Sequence, residues 1–92
     1  MDYHQSMLNC LVLDWNVRGL NDKVKRLAVY NKIEESNAAI VCLQETKCQI
    51  FDHTIIRSFC PKRFDQFAFS PSVGVSGGLI MLWNSSIYSL EN

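Results

Sequence analysis

Apolar positions fall into dense runs separated by polar or glycine-bearing connectors. MLNCLVLDWNV, Met7 to Val17, is mostly apolar and reads as a largely buried strand. Alternation puts Leu11, Leu13, Trp15 and Val17 on one face, and Cys10, Val12, Asp14 and Asn16 on the other. Gly19 then breaks the run, and Asn21 or Asp22 caps a helix. In that helix Val24, Leu27 and Ala28, with Tyr30 and Ile33, recur at helical spacing. Lys23, Lys25, Arg26, Lys32, Glu34 and Glu35 take the outer side. Asn37 closes it. AAIVCLQE, Ala38 to Glu45, is a second buried strand, so the three elements form a parallel βαβ unit. The helix is expected to pack Val24, Leu27 and Ala28 against Leu13, Trp15 and Cys42.

Further along, IFDHTIIRSF, Ile50 to Phe59, reads as a short helix. QFAFSP, Gln66 to Pro71, and GGLIMLWN, Gly77 to Asn84, read as a hairpin pair of strands with Ser72 to Ser76 between them. Ile87 to Leu90 starts a fifth strand. Gly77-Gly78 forms a turn or marks a close approach of two backbones. There are no internal repeats.

The totals narrow the picture. With 92 residues the chain is at most one small domain, and 48% apolar content permits a core. Formal net charge is zero, so no bulk basic field draws in a polyanion, and any nucleic-acid contact must be local. No apolar run approaches the ~18 residues of a membrane span, so no membrane partner is expected. The start MDYHQSMLNC has no signal-peptide pattern, which implies an intracellular protein. Cys10, Cys42, Cys48 and Cys60 form no Cys-x-x-Cys pair, and His4 and His53 are not spaced to complete a zinc site. Reduced thiols are expected, with Cys10 and Cys42 as small core residues.

The chemistry sits at strand ends. In a parallel βαβ unit both carboxyl ends open on the same edge of the sheet, where open α/β sheets bind ligands. Asn16 ends the first strand and Glu45 the second, so an amide and a carboxylate arrive side by side. A carboxylate there is suited to Mg²⁺, which takes one or two protein carboxylates and keeps several waters. The amide is suited to a phosphate oxygen or a metal-bound water. Polar residues at strand ends are also ordinary turn chemistry, and Arg18 and Lys47 beyond the same rim read equally as solvated surface. Asp14, inside an apolar run on the Asn16 face, must find a partner or take up a proton if buried. Trp15 and Trp83 read as core, and His53 as surface.

WNVRGLND with Lys25-Arg26 behind it, then IVCLQETK, then SGGLIMLWN, together resemble the start of an endonuclease/exonuclease/phosphatase domain. More narrowly they resemble the endonuclease domain of plant non-LTR (LINE-type) retrotransposons, over about Leu8 to Asn84. The resemblance implies the N-terminal portion of a four-layered α/β sandwich (DNase I-like): a βαβ unit followed by a β-hairpin, truncated within residues 1–92. It implies Mg²⁺-dependent phosphodiester hydrolysis with DNA as partner, and a nuclear location for such an enzyme. Asn16 matches the family's Asn that positions substrate and catalytic groups, and Glu45 matches its metal ligand. Asp14 departs from the small residue usual before the Trp. The family's Asp-x-Asn and Ser-Asp-His blocks do not occur in this sequence, and neither histidine stands in a matching context.

Two functions of different class follow. One is part of an endonuclease domain, inactive by itself, with an exposed sheet face open to self-association. The other is a stand-alone α/β binding or interaction module without catalysis. Capped edges and a closed core favour the module; an apolar, uncovered sheet face favours the endonuclease part.

Overall fold

The computed structural model describes residues 1–5, 11–74 and 77–86. Its elements are β1 (Asp2–Gln5), β2 (Leu11–Asn16), α1 (Lys23–Glu35), β3 (Ile40–Gln44), α2 (His53–Phe59), β4 (Gln66–Ser70) and β5 (Leu79–Trp83). They form one mixed sheet in the order β1-β2-β3-β5-β4. β2 and β3 are parallel, with Val12 opposite Ile40 and Asn16 opposite Gln44. The other pairings are antiparallel, and β4 and β5 make the expected hairpin. The β1 strand was not legible in the polar stretch DYHQ. The expected strand at Ile87 to Leu90 and the start of the Met7 strand lie outside the described residues.

Both helices lie on one face. There Leu13, Val41, Leu43, Ile80 and Leu82 of the strands meet Val29 and Ile33 of α1 and Ile56 and Phe59 of α2. The outcome is two layers, one sheet and one helix layer. No second sheet packs against it among the described residues.

Local chemistry accounts for the helix limits. Asp22 caps α1, its carboxylate accepting from Val24 N at 2.8 Å, and Asp52 caps α2 by accepting from Ile55 N at 2.8 Å. The C-cap of α1 is Ser36, one residue before the expected stop at Asn37. The Arg57 guanidinium folds back over the end of α2 and donates to the carbonyls of Pro61, at 3.2 Å, and Phe64, at 2.8 Å.

Two packing expectations are corrected. Val24 is 75% and Leu27 58% exposed, and Ala28 is exposed as well; the helix turns Val29 and Ile33 to the sheet instead. Cys42 is on the opposite face from the helices, level with Asp14 on β2 and Met81 on β5, and only half-buried. That face carries a small cluster of its own, Val12, Ile40 and Trp83, at 8, 8 and 6% exposure. These apolar side chains are nearly buried, so this face shows less apolar surface than an uncovered sheet was expected to show.

Candidate functional site

The carboxyl ends of β2 and β3 continue as paired loops. Val17 N donates to Gln44 O at 3.0 Å, Gly19 N to Glu45 O at 2.8 Å and Leu20 N to Thr46 O at 2.8 Å. On the other side Thr46 N donates to Gly78 O at 3.2 Å and Lys47 N to Gly77 O at 2.9 Å. The segment 45–47 is therefore clamped between two neighbours. Within this frame Arg18, Glu45 and Lys47 all have left-handed backbones, at φ 57°, 53° and 57°. Each such non-glycine residue costs on the order of 1–2 kcal/mol, and it persists because the surrounding hydrogen bonds over-determine it.

The strained backbone at Glu45 has a consequence for the site. Asn16 is opposite Gln44, so strict alternation would put Gln44, not Glu45, on the Asn16 face. The left-handed turn at Glu45 breaks that alternation and brings its carboxylate round to Asn16. The Asn16 Nδ2 donates to Glu45 Oε2. The Asn16 Oδ1 accepts from Arg18 N at 3.1 Å, which fixes the amide with its N–H towards the carboxylate. Asn16 and Glu45 are both exposed, as a site open to a ligand requires.

Asp14, two residues down the same face, has found its partner: Gln44 Nε2 donates to Asp14 Oδ1. Gln44 was not singled out in the sequence; its signal was the period-two placement beside Asn16. Its neighbour Cys42 has its thiol pushed up by burial and, secondarily, by the Asp14 charge, so it stays protonated at neutral pH.

Gly78 packs tightly under this rim. A Cβ there would overlap Thr46 Oγ1 and stand 3.2 Å from Lys47 N, so Gly-Gly marks a close backbone approach. Of the early basic residues of α1, Arg26 is structural: its Nη1 donates to Leu20 O at 3.1 Å and Asn21 O at 3.0 Å. Neither histidine reaches the rim. His4 is opposite Val12, four residues down the strand from Asn16, about 13 Å at 3.3 Å per residue. His53 lies edge-on to Phe67 at 6.0 Å, where α2 meets β4.

Neither a family model nor a curated protein matches the chain. Among solved structures it is similar to the crystal structure of the AP endonuclease LMAP from Leishmania major, with a TM-score of 0.64 and 22% identity. The match covers 82% of this chain and 24% of that protein. The fold is that of part of a DNase I-like α/β endonuclease. At this identity the likeness speaks for the fold alone, and the chain spans about a quarter of the matched protein's length.

The donor set fits one corner of a Mg²⁺ site. Glu45 offers an exposed carboxylate, one oxygen of which is bound by Asn16, leaving the other for an ion that retains its waters. Among the described residues no group of three or more His, Cys, Asp or Glu side chains converges, so this corner is not a closed protein cage such as structural zinc requires.

Proposed function

We infer that the chain is part of a Mg²⁺-dependent DNA endonuclease domain, of the kind encoded by LINE-type retrotransposons, and that these 92 residues do not cleave DNA by themselves. The observation that carries this reading is the Asn16–Glu45 pair, held at the exposed ends of two adjoining parallel strands in a DNase I-like fold. The motif blocks around Asn16, Glu45 and Gly78 support the narrower retrotransposon assignment.

In this reading Glu45 holds the ion, and Asn16 orients the free carboxylate and offers hydrogen bonding to a phosphate oxygen. Bound there, Mg²⁺ would polarise the phosphoryl group and neutralise developing charge. Arg18 and Lys47 stand in the adjoining loops as phosphate contacts. Inactivity follows from the residues that a general base would need. Both histidines are remote from the rim, and Asp14 is engaged by Gln44.

The alternative, a stand-alone binding module, draws support from the closed core beneath the helices and from the near-burial of Val12, Ile40 and Trp83. One experiment separates the proposals. Purified chain incubated with supercoiled plasmid and Mg²⁺ should leave it intact, while two-dimensional NMR should show Mg²⁺ shifting Glu45 and Asn16. Plasmid nicking that Glu45→Ala abolishes would overturn the inactivity. No Mg²⁺ response at Glu45 would favour the module.

A further inference from the structure

Asn21 was one of two candidate helix caps, but Asp22 takes that role by accepting from Val24 N. The Asn21 side chain turns instead across the rim, where its Nδ2 donates to Lys47 O at 2.7 Å. This bond completes a series. Glu45 O accepts from Gly19 N at 2.8 Å, Thr46 O from Leu20 N at 2.8 Å and Cys48 O from Ser72 N at 2.9 Å. In the run from Glu45 to Cys48, Lys47 O is the carbonyl bonded by a side-chain amide instead of a main-chain N–H. The loop after β2 runs beside the loop after β3 as far as Leu20 and then leaves for α1. The Asn21 amide spans the gap that opens there.

The bond falls where the backbone is strained. Glu45 and Lys47 are both left-handed, at φ 53° and 57°, and neither is a glycine. Such conformations persist only while their neighbours hold them. Lys47 N donates to Gly77 O at 2.9 Å on one side, and Lys47 O is held by Asn21 on the other. Asn21 is anchored in turn. Arg26 Nη1, from the start of α1, donates to Leu20 O at 3.1 Å and to Asn21 O at 3.0 Å. Arg26, Asn21 and Lys47 thus connect the helix to the segment that carries Glu45.

We propose that Asn21 is a positioning residue for the metal corner. By fixing Lys47 it holds the 45–47 segment in the conformation that turns the Glu45 carboxylate to Asn16. This rests on the Mg²⁺ reading above and adds to it a residue whose side chain is bound to Lys47 and not to the Asn16–Glu45 pair.

The test is NMR of the 92-residue chain and three variants, first without metal and then with added Mg²⁺. Asn21→Ala should shift the Asn16 side-chain amide protons in the metal-free protein, because the carboxylate they meet has moved. It should also weaken Mg²⁺ binding, read at Glu45, by about fivefold, the size of one ordinary hydrogen bond. Asn21→Gln keeps an amide donor at an exposed position and should recover most of both effects. Ile33→Val, a core change near the far end of α1, should lower the urea midpoint and leave both readouts unchanged. Unmoved Asn16 amide protons in Asn21→Ala would overturn the proposal. So would Asn21→Gln behaving like Asn21→Ala, or Ile33→Val disturbing the rim as much, which would make the effect one of general stability. A wild-type chain without a Mg²⁺ response at Glu45 would instead sink the metal reading, and the metal-free Asn16 signals would still decide whether Asn21 places Glu45.

Discussion

The Asn16 side-chain amide donates to the Glu45 carboxylate across the ends of two parallel strands, although the regular strand register pairs Asn16 with Gln44. A left-handed residue at Glu45 makes the difference. The pair is therefore held by backbone conformation as well as by its own hydrogen bond.

Cation binding should respond to charge at this pair. Glu45→Ala should abolish Mg²⁺-induced shifts at the rim. Asn16→Asp adds a second carboxylate beside the first and should tighten Mg²⁺ binding by roughly tenfold, or ~1.4 kcal/mol. Isothermal titration of the three proteins measures it. Equal affinity in all three would place the ion elsewhere.

Gly78 should be intolerant of any side chain. Its φ is 95°, and a Cβ would overlap Thr46 Oγ1 beside the 45–47 segment. Gly78→Ala should lose about 2–3 kcal/mol in urea melts and move the Glu45 resonance. Gly74 also has a positive φ, 65°, but a Cβ there meets nothing within 4 Å. Gly74→Ala should lose only about 1 kcal/mol, from the backbone alone. Matching losses would mean that the close approach contributes nothing.

The face of α1 can be tested with two leucine-sized residues. Ile33 is fully buried and Leu27 is 58% exposed. Ile33→Ala should cost about 2–5 kcal/mol, and Leu27→Ala less than about 0.5 kcal/mol. Chemical denaturation decides between this and the expected packed face of Val24, Leu27 and Ala28, which would make Leu27→Ala a costly change as well.

That helix shows where sequence legibility ended. β2, β3, β4 and β5 were legible because apolar runs and flanking turn residues bound each of them, and Asp22 was one of two candidate caps. The orientation of α1 was not, because Val24, Leu27 and Ala28 offer one apolar stripe and Val29 with Ile33 another. Only the sheet beneath selects between them. β1 is an edge strand of Asp, Tyr, His and Gln, and its pairing comes from backbone hydrogen bonds that leave no apolar pattern. At the site, Asn16 and Glu45 could be placed on one rim from strand ends. The left-handed turn that brings them together could not, since no glycine marks Glu45 or Lys47.

Alkaline stability should be limited by the thiols. Burial pushes Cys60 up to about 11, and burial also raises Cys42 and Cys48. A group whose folded pKa is raised keeps its contribution below the unfolded value, near 9.0, and loses it as pH climbs through the folded value. Between these limits the unfolded chain releases protons that the folded chain retains, so unfolding is favoured as pH rises. The urea midpoint should fall from pH 8 to pH 10.5, and Cys60→Ala should flatten that fall while lowering stability at pH 8. An unchanged slope in the variant would assign the alkaline loss to other groups.

Self-association should run through the β4 edge. Gln66–Ser70 contains no charged residue and no proline, and all but the half-buried Phe67 are exposed. Among the described residues β4 has only β5 beside it, and an edge strand without charge is a template for pairing with a second copy. Phe69, 44% exposed and 4.9 Å from the Phe51 ring, adds apolar surface beside that edge. The face with Val12, Ile40 and Trp83 is a weaker candidate because those side chains are nearly buried. Sedimentation of the wild-type chain should therefore show concentration-dependent oligomers. Ala68→Lys puts a charge in the middle of the strand, at an exposed position opposite Met81, and should shift the population to monomer without lowering the thermal midpoint. If the oligomers persist in Ala68→Lys and disappear when Leu27→Lys is introduced on α1, the exposed helix face and not the strand edge carries the contact.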